Sequence, residues 1–171
     1  MNIRFTGFGG QGIILSGVIY GWAAILDNKN AIQTQSYGSS ARGGACKCDV
    51  IIQDSYIYEL VPSGNDILVA FSQPAFEKYK KSLLKTGILF FDSDLVNINS
   101  FEAVSHSIPA TDFAFKEFGQ KLFANIIMLG FFNAKTGLIN PEAVEKSIKQ
   151  YVPAKYADTN INAFRLGAGL I

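Results

Sequence analysis

Glycine is concentrated in two short stretches of this chain, Gly7-Phe8-Gly9-Gly10-Gln11-Gly12 and the ten residues 37–46 that include Gly38, Gly43 and Gly44. Together they hold 7 of the 16 glycines in 16 of 171 residues, a density that points to close approach of the backbone to a ligand or to a neighbouring element. The first stretch has the G-x-G-x-x-G spacing and stands between a strand-like run and an apolar, helix-like run. In that context backbone amides and a helix N-terminus attract a phosphate or another anion. A dinucleotide site would also need an acidic residue at the end of the second strand, about 20 residues on, to hold the ribose hydroxyls. That strand ends Gln33-Thr34-Gln35-Ser36, so a bound dinucleotide is disfavoured. The alternative use of these glycines is tight packing of helix on sheet, as expected for Gly17 and Gly21, one helical turn apart.

The second stretch follows the second strand, which places it on the same edge of the sheet as the first, where open α/β sheets bind ligands. Arg42 is the only charged residue between Asn30 and Lys47. Its planar fork can meet a phosphate or a carboxylate, or pair with a carboxylate of this chain or of a partner subunit. Gly9, Gly10, Gln11, Gly12, Ser36, Arg42 and Gly43 are therefore the candidate binding residues.

The remaining chemistry-bearing residues point elsewhere. Cys46 and Cys48, two apart on a strand, share one face and read as small buried side chains. With His106 they fall short of the four ligands of a structural zinc or an iron-sulfur cluster. His106 reads as a structural or surface histidine. Asp92 and Asp94 end a strand without a metal-binding pattern, and Asn125 and Asn133 interrupt an apolar helix, where a buried amide needs a specific partner at a loop brace or an interface.

These residues must be positioned by alternating strands and helices. Strands are expected at 2–6, 31–36, 66–71, 87–91 and 103–108, with a hairpin over 46–61 made of strands 46–53 and 55–61 turning at Gln53-Asp54. Helices are expected at 12–26, 74–84 and 141–151, the last capped by Asn140 with Pro141 at its first position. A further helical stretch is expected to start at Thr111 and run through Phe115, Phe118, Leu122, Ile126 and Leu129. The runs Asp66-Ile67-Leu68-Val69-Ala70-Phe71 and Gly87-Ile88-Leu89-Phe90-Phe91 read as buried parallel strands. The sum is an α/β, Rossmann-like layered domain with a mostly parallel sheet, spanning 1–171 as one unit.

Composition narrows the role. Fifteen Lys+Arg against 14 Asp+Glu leave a net charge of +1, which disfavours nucleic acid as the main partner. A chain of this length buries about 69% of its extended surface, enough for one core. With 49% hydrophobic, 17% charged residues and 14 phenylalanines, part of the surface is expected to be covered by a partner. Two neighbouring cysteines fit a reducing, cytosolic compartment. Residues 13–26 can pass for a signal-peptide core, yet only Arg4 and a run of glycines precede them, and no apolar run reaches the about 18 residues of a membrane span. A soluble, unprocessed cytoplasmic protein is expected.

The two glycine stretches, taken with Asp49-Val50-Ile51-Ile52, Asp66-Ile67-Leu68-Val69-Ala70, Gly87 with Asp92, Pro109-Ala110-Thr111, Ala124-Asn125 with Leu129-Gly130 and Asn162-Ala163-Phe164, resemble the gamma subunit of 2-oxoacid:ferredoxin oxidoreductases. The resemblance runs in order along nearly the whole chain, and Ser36-Tyr37-Gly38 with Ala41-Arg42-Gly43-Gly44 is most similar to the 2-oxoglutarate branch. It implies an oxidative decarboxylation in which a 2-oxoacid and coenzyme A give an acyl-CoA, carbon dioxide and reduced ferredoxin. It further implies alpha and beta partner subunits, with a ferredoxin-like delta subunit as a further neighbour and ferredoxin as electron acceptor. Thiamine diphosphate, Mg2+ and iron-sulfur clusters would be held by the partners. This chain would be required but not catalytic by itself, with Gly9 to Gly12, Ser36, Arg42 and Gly43 facing the phosphates of coenzyme A. The other readings are a self-contained nucleotide- or phosphate-binding domain and a purely structural assembly subunit.

Overall fold

The computed structural model describes residues 1–36, 45–99 and 101–171. Among the described residues six strands form one sheet in the order β2-β3-β1-β4-β5-β6, where β1 is Asn2–Phe8, β2 Asn30–Ser36, β3 Ala45–Gln53, β4 Asn65–Ala70, β5 Leu83–Asp92 and β6 Val104–Ile108. β1, β4, β5 and β6 pair in parallel, and β3 alone runs against its neighbours β1 and β2. Among the described residues the helices are α1 (Ile13–Leu26), α2 (Gln73–Tyr79), α3 (Ala110–Phe118), α4 (Ala124–Thr136), α5 (Pro141–Tyr151) and α6 (Ala154–Ala168). None is long and apolar enough to cross a membrane.

β1 is buried on both faces, and its side chains alternate accordingly. Ile3 and Phe5 enter the larger core with Cys48, Val50, Val69 and Phe90, against α1, α3, α4, α5 and α6. Phe132 of α4 sits among Phe5, Tyr20 and Phe90, with ring centroids 6.0, 4.9 and 5.2 Å away, so much of the aromatic content is core. Leu68, Ala70, Leu89 and Phe91 point the other way, into a smaller core closed by Phe76 of α2. On that second face Arg4 is buried against Asp49, with Nε and Nη2 donating to the carboxylate at 2.6 and 3.0 Å, while Lys47 donates to the same carboxylate at 2.8 Å.

Three expectations are corrected. The hairpin over 46–61 does not form: residues 55–61 make no strand, and β3 is flanked by β1 and β2. Both edges of β3 are taken, so the Tyr- and Ile-rich run after Asp54 has no ladder to join, whatever its β-propensity. The antiparallel partner of β3 in sequence is instead β2, with Asn30 opposite Gln53 and Ser36 opposite Lys47. The helical stretch from Thr111 is broken at Gly119, whose φ of 69° caps α3, and a 3-10 turn, Lys121–Phe123, leads into α4. The N-cap of α3 is Pro109, and the Thr111 side chain serves another purpose described below. The helix at 74–84 ends at Tyr79 in a 3-10 turn, leaving Leu83 and Leu84 to β5.

Helix α6 lies beyond the elements expected from sequence, although Ala157, Ile161 and Phe164 recur at helical spacing and pack into the larger core. α5 forms as expected, with Asn140 Oδ1 accepting from the Glu142 amide at 2.9 Å and Pro141 at its first position.

Candidate functional site

The carboxyl ends of β1, β4 and β5 meet at one edge of the sheet, where the β1–α1 turn carries the first glycine stretch. Gly10 and Gly12 have φ of 93° and 73°, a region where a side chain is strained. Gly7 leaves room for the Gln11 side chain, since a Cβ there would lie 2.6 Å from Gln11 Oε1. A Cβ on Gly12 would collide with the Asn125 amide.

The glutamine and the asparagine hold the turn. Gln11 Oε1 accepts from the Phe8 amide at 2.6 Å and its Nε2 donates to the Phe71 carbonyl at 2.8 Å, tying the turn to the end of β4. The Gln11 amide itself donates to the Phe8 carbonyl at 3.2 Å. Asn125, buried at the start of α4, donates to the Gly12 carbonyl and to Ser16 Oγ, both at 3.3 Å. Asn133, the other asparagine in α4, accepts from the Tyr20 hydroxyl at 2.8 Å and donates to the Ile139 carbonyl at 3.0 Å, a brace inside the fold.

Gly9 and Gly10 are exposed, and no atom of the described residues lies within 4 Å of where a Cβ would stand on either. α1 begins after its N-cap Gly12 with no side-chain cap and no acidic residue in its first turn, so its leading amides have no side-chain acceptor. A cleft of about 380 Å³ opens beside them, lined by Gly10, Gln11, Phe71, Thr111, Lys121 and Leu122 among others. It sits where the chain order reverses, since α1 leads from β1 towards β2 while β4, β5 and β6 extend the other way. That is the switch point at which open α/β sheets bind ligands. A narrower apolar slot of about 120 Å³ adjoins it past Leu122, lined by Gly12, Leu15, Val152 and Tyr156.

Thr111, which lines the cleft, is held from behind by Asp92 at the end of β5. Its fully buried carboxylate accepts from the Thr111 hydroxyl at 2.6 Å and amide at 3.1 Å, and from the Asp94 amide at 3.1 Å. Burial pushes the Asp92 carboxyl above its ordinary range against the pull of these hydrogen bonds. Because the Thr111 hydroxyl donates its hydrogen bond to Asp92, it is left with acceptor capacity only for a ligand in the cleft.

Of the residues singled out by sequence, Gly10 and Gln11 line the cleft, Gly12 lines the adjoining slot, and Gly9 is exposed beside them. Ser36 ends β2 opposite Lys47, and β3 lies between that strand and β1, so Ser36 does not line the cleft. Arg42 and Gly43 fall outside the described residues. The insertion of β3 also carries the end of β2 away from the glycine turn, so this sheet lacks the adjacent second strand on which a dinucleotide site depends. Lys121 and Thr111 were not among the expected site residues. Lys121 was hidden by the expectation of one continuous helix, and only Gly119 signalled the break.

Cys46 and Cys48 both point into the core under α1. A Cβ on Gly17 would strike Cys48 Sγ, so that glycine is a packing residue, and Gly21 lies over Val50 and Gln33. Burial raises both thiols, Cys48 to about 11, which keeps them protonated and poor as ligands or nucleophiles. Among the described residues no three His, Cys, Asp or Glu side chains gather as a metal site.

The sequence matches the pyruvate ferredoxin/flavodoxin oxidoreductase family over residues 2–170. It is 45% identical to the 2-oxoglutarate synthase subunit KorC of Methanocaldococcus jannaschii, covering 97% of this chain and 91% of that one. It is 29% identical to the ketoisovalerate oxidoreductase subunit VorA of Methanothermobacter thermautotrophicus, over 99% of this chain but only 35% of that longer protein. The crystal structure of the keto/oxoacid ferredoxin oxidoreductase gamma subunit from Geobacter sulfurreducens superposes with a TM-score of 0.85 at 41% identity, covering 97% of this chain and 95% of that one. The same mostly parallel six-stranded sheet, flanked by helices, underlies both. With a match from end to end and a shared architecture, the chain belongs to the pyruvate ferredoxin/flavodoxin oxidoreductase family.

Proposed function

We propose that this chain is the gamma-type subunit of a 2-oxoacid:ferredoxin oxidoreductase with 2-oxoglutarate as its acid, and that it contributes the site for the phosphates of coenzyme A. The observation that carries this reading is the conjunction at one sheet edge of an uncapped helix N-terminus, the exposed Gly9 and Gly10, and a cleft large enough for part of a ligand. A pyrophosphate needs backbone approach and amides without an acceptor, which the exposed glycines and the uncapped helix start supply. The 2-oxoglutarate assignment is supported by the 45% identity to KorC against 29% to VorA.

The oxidation itself belongs to alpha and beta partners that hold thiamine diphosphate, Mg2+ and the iron-sulfur clusters, with ferredoxin taking the electrons. The inward-facing, protonated Cys46 and Cys48 support that division, since neither thiol is offered to a cluster. What this chain does is bind and orient: amide donors take the anionic end of the coenzyme, and Thr111 offers an acceptor in the same cleft.

Reconstitution from separately purified subunits tests the assignment. The full set is expected to reduce ferredoxin with 2-oxoglutarate and coenzyme A, with pyruvate and branched-chain 2-oxoacids the poorer substrates. Omission of this chain is expected to abolish the coenzyme A-dependent reaction. Unchanged activity without it, or a preference for another 2-oxoacid, would contradict the proposal.

A further inference from the structure

The geometry points to Lys121 as the cation this chain places on an anionic group of the ligand, an inference that rests on the coenzyme A reading of the cleft. Lys121 opens the 3-10 turn between α3 and α4 and lines the same cleft as Gly10 and Gln11. The three aspartates at this edge of the sheet already have partners. Asp92 accepts from Thr111 and Asp94, Asp94 accepts from the Asp112 amide at 2.7 Å, and Asp112 pairs with Lys116 at 2.7 Å. Among the described residues no carboxylate lies within 4.0 Å of Lys121, and residues 37–44 and 100 contain none.

Among the described residues Lys121 is the only cation in the lining, so a ligand anion bound beside Gly10 has both the backbone of the glycine turn and an ammonium within the same cleft. The turn that carries it is held from both ends: Gly119, with φ of 69°, closes α3, and Asn125 ties the start of α4 to Gly12. The cation therefore has a fixed base relative to the glycine turn while its side chain stays free to close on a phosphate as a point charge. Thr111, in the same lining, already donates its hydroxyl to Asp92 and so offers a ligand only an acceptor, which leaves Lys121 as the partner for an anionic group.

Equilibrium binding of coenzyme A and steady-state kinetics of the assembled complex, with Lys121→Ala, Lys121→Arg and Gly9→Val, test this. Lys121→Ala is expected to weaken coenzyme A binding by about ten- to a hundredfold, the value of one charge-assisted contact, with the KM for 2-oxoglutarate and the kcat at saturation unchanged. Lys121→Arg is expected to restore most of the affinity, and the salt dependence of binding is expected to flatten in the Ala variant only. Repeating the series with dephospho-coenzyme A identifies the anion. A Lys121→Ala effect that persists assigns the pyrophosphate, and one that disappears assigns the 3′-phosphate. If Gly9→Val weakens coenzyme A binding and Lys121→Ala does not, the role of Lys121 is overturned while the coenzyme site stands. If neither does, both fall. An effect of Lys121→Ala confined to the KM for 2-oxoglutarate would assign the lysine to the acid and overturn the inference as well.

Discussion

Gly130→Ala is expected to lower the unfolding free energy by about 3 kcal/mol or more, although alanine is the better helix former by about 1 kcal/mol. Gly130 lies within α4 where α6 crosses it, and a Cβ there would land on the Phe164 carbonyl oxygen. The contact is reciprocal: a Cβ on Gly167 of α6 would land on the Ile127 carbonyl oxygen. Neither obstacle is a side chain that can rotate away, so the two helices would have to move apart, opening space around Ile127 and Phe164, which are both buried in the larger core. Denaturant unfolding of Gly130→Ala and Gly167→Ala checks this, with Gly9→Ala as a reference because its Cβ stands in open space. A loss below about 0.5 kcal/mol, the range of ordinary surface changes, would show that the helices do not cross this closely.

Asp49→Ala is expected to cost about 3–5 kcal/mol, because it leaves the Arg4 guanidinium charged and buried without its counterion. The ring of Tyr79, 5.3 Å from Arg4 Cζ, cannot replace a carboxylate that takes two of its hydrogen bonds. Replacing both members, Arg4→Met with Asp49→Leu, is expected to recover most of the loss, since no charge is then stranded in the core. The effect also depends on pH in a stated direction. Burial raises the Asp49 carboxyl, and the hydrogen bonds from Arg4 and Lys47 more than offset it, so the net position is below its ordinary value. A carboxyl held lower in the folded state stabilises it above the unfolded pKa and loses that contribution as pH falls through the folded one. The gap between Asp49→Asn and the natural chain should therefore be widest near neutrality and close progressively below about pH 4. A gap that is constant from pH 7 into the acid range would contradict the ion pair.

Where the sequence was legible, a local physical demand fixed the residue type. Gly10 and Gly12 announce a turn that only glycine accommodates, and Asn140-Pro141 announces a helix start; both stand where they were expected. The run 55–61 misled because Val, Ile and Tyr describe a strand's surface preference, while its pairing depended on whether β3 kept a free edge. That is a property of strand order, which is set by distant parts of the chain. The sequence signal of helix α6 is weakened by Gly167, which lowers helical propensity while letting its backbone touch that of α4 at Ile127.

The site divides in the same way. The glycine turn could be read locally, whereas Lys121, Thr111 and Asp92 come together only through the break at Gly119 and the parallel pairing of β5 with β6. Gln11 shows the converse. It was a candidate binding residue by position, and both polar ends of its side chain are occupied by Phe8 and Phe71, so its contribution is to hold the turn.

The measurement that tests the central claim most directly is the KM for coenzyme A of the assembled complex carrying Gly9→Val. A Cβ at Gly9 meets no atom of the described residues within 4 Å, while a valine there stands in the approach to the amides of the β1–α1 turn. The account predicts a rise of at least about tenfold in the KM for coenzyme A, equivalent to about 1.4 kcal/mol, with the KM for the 2-oxoacid and the unfolding midpoint unchanged. An unaltered KM for coenzyme A in a correctly assembled complex would contradict it.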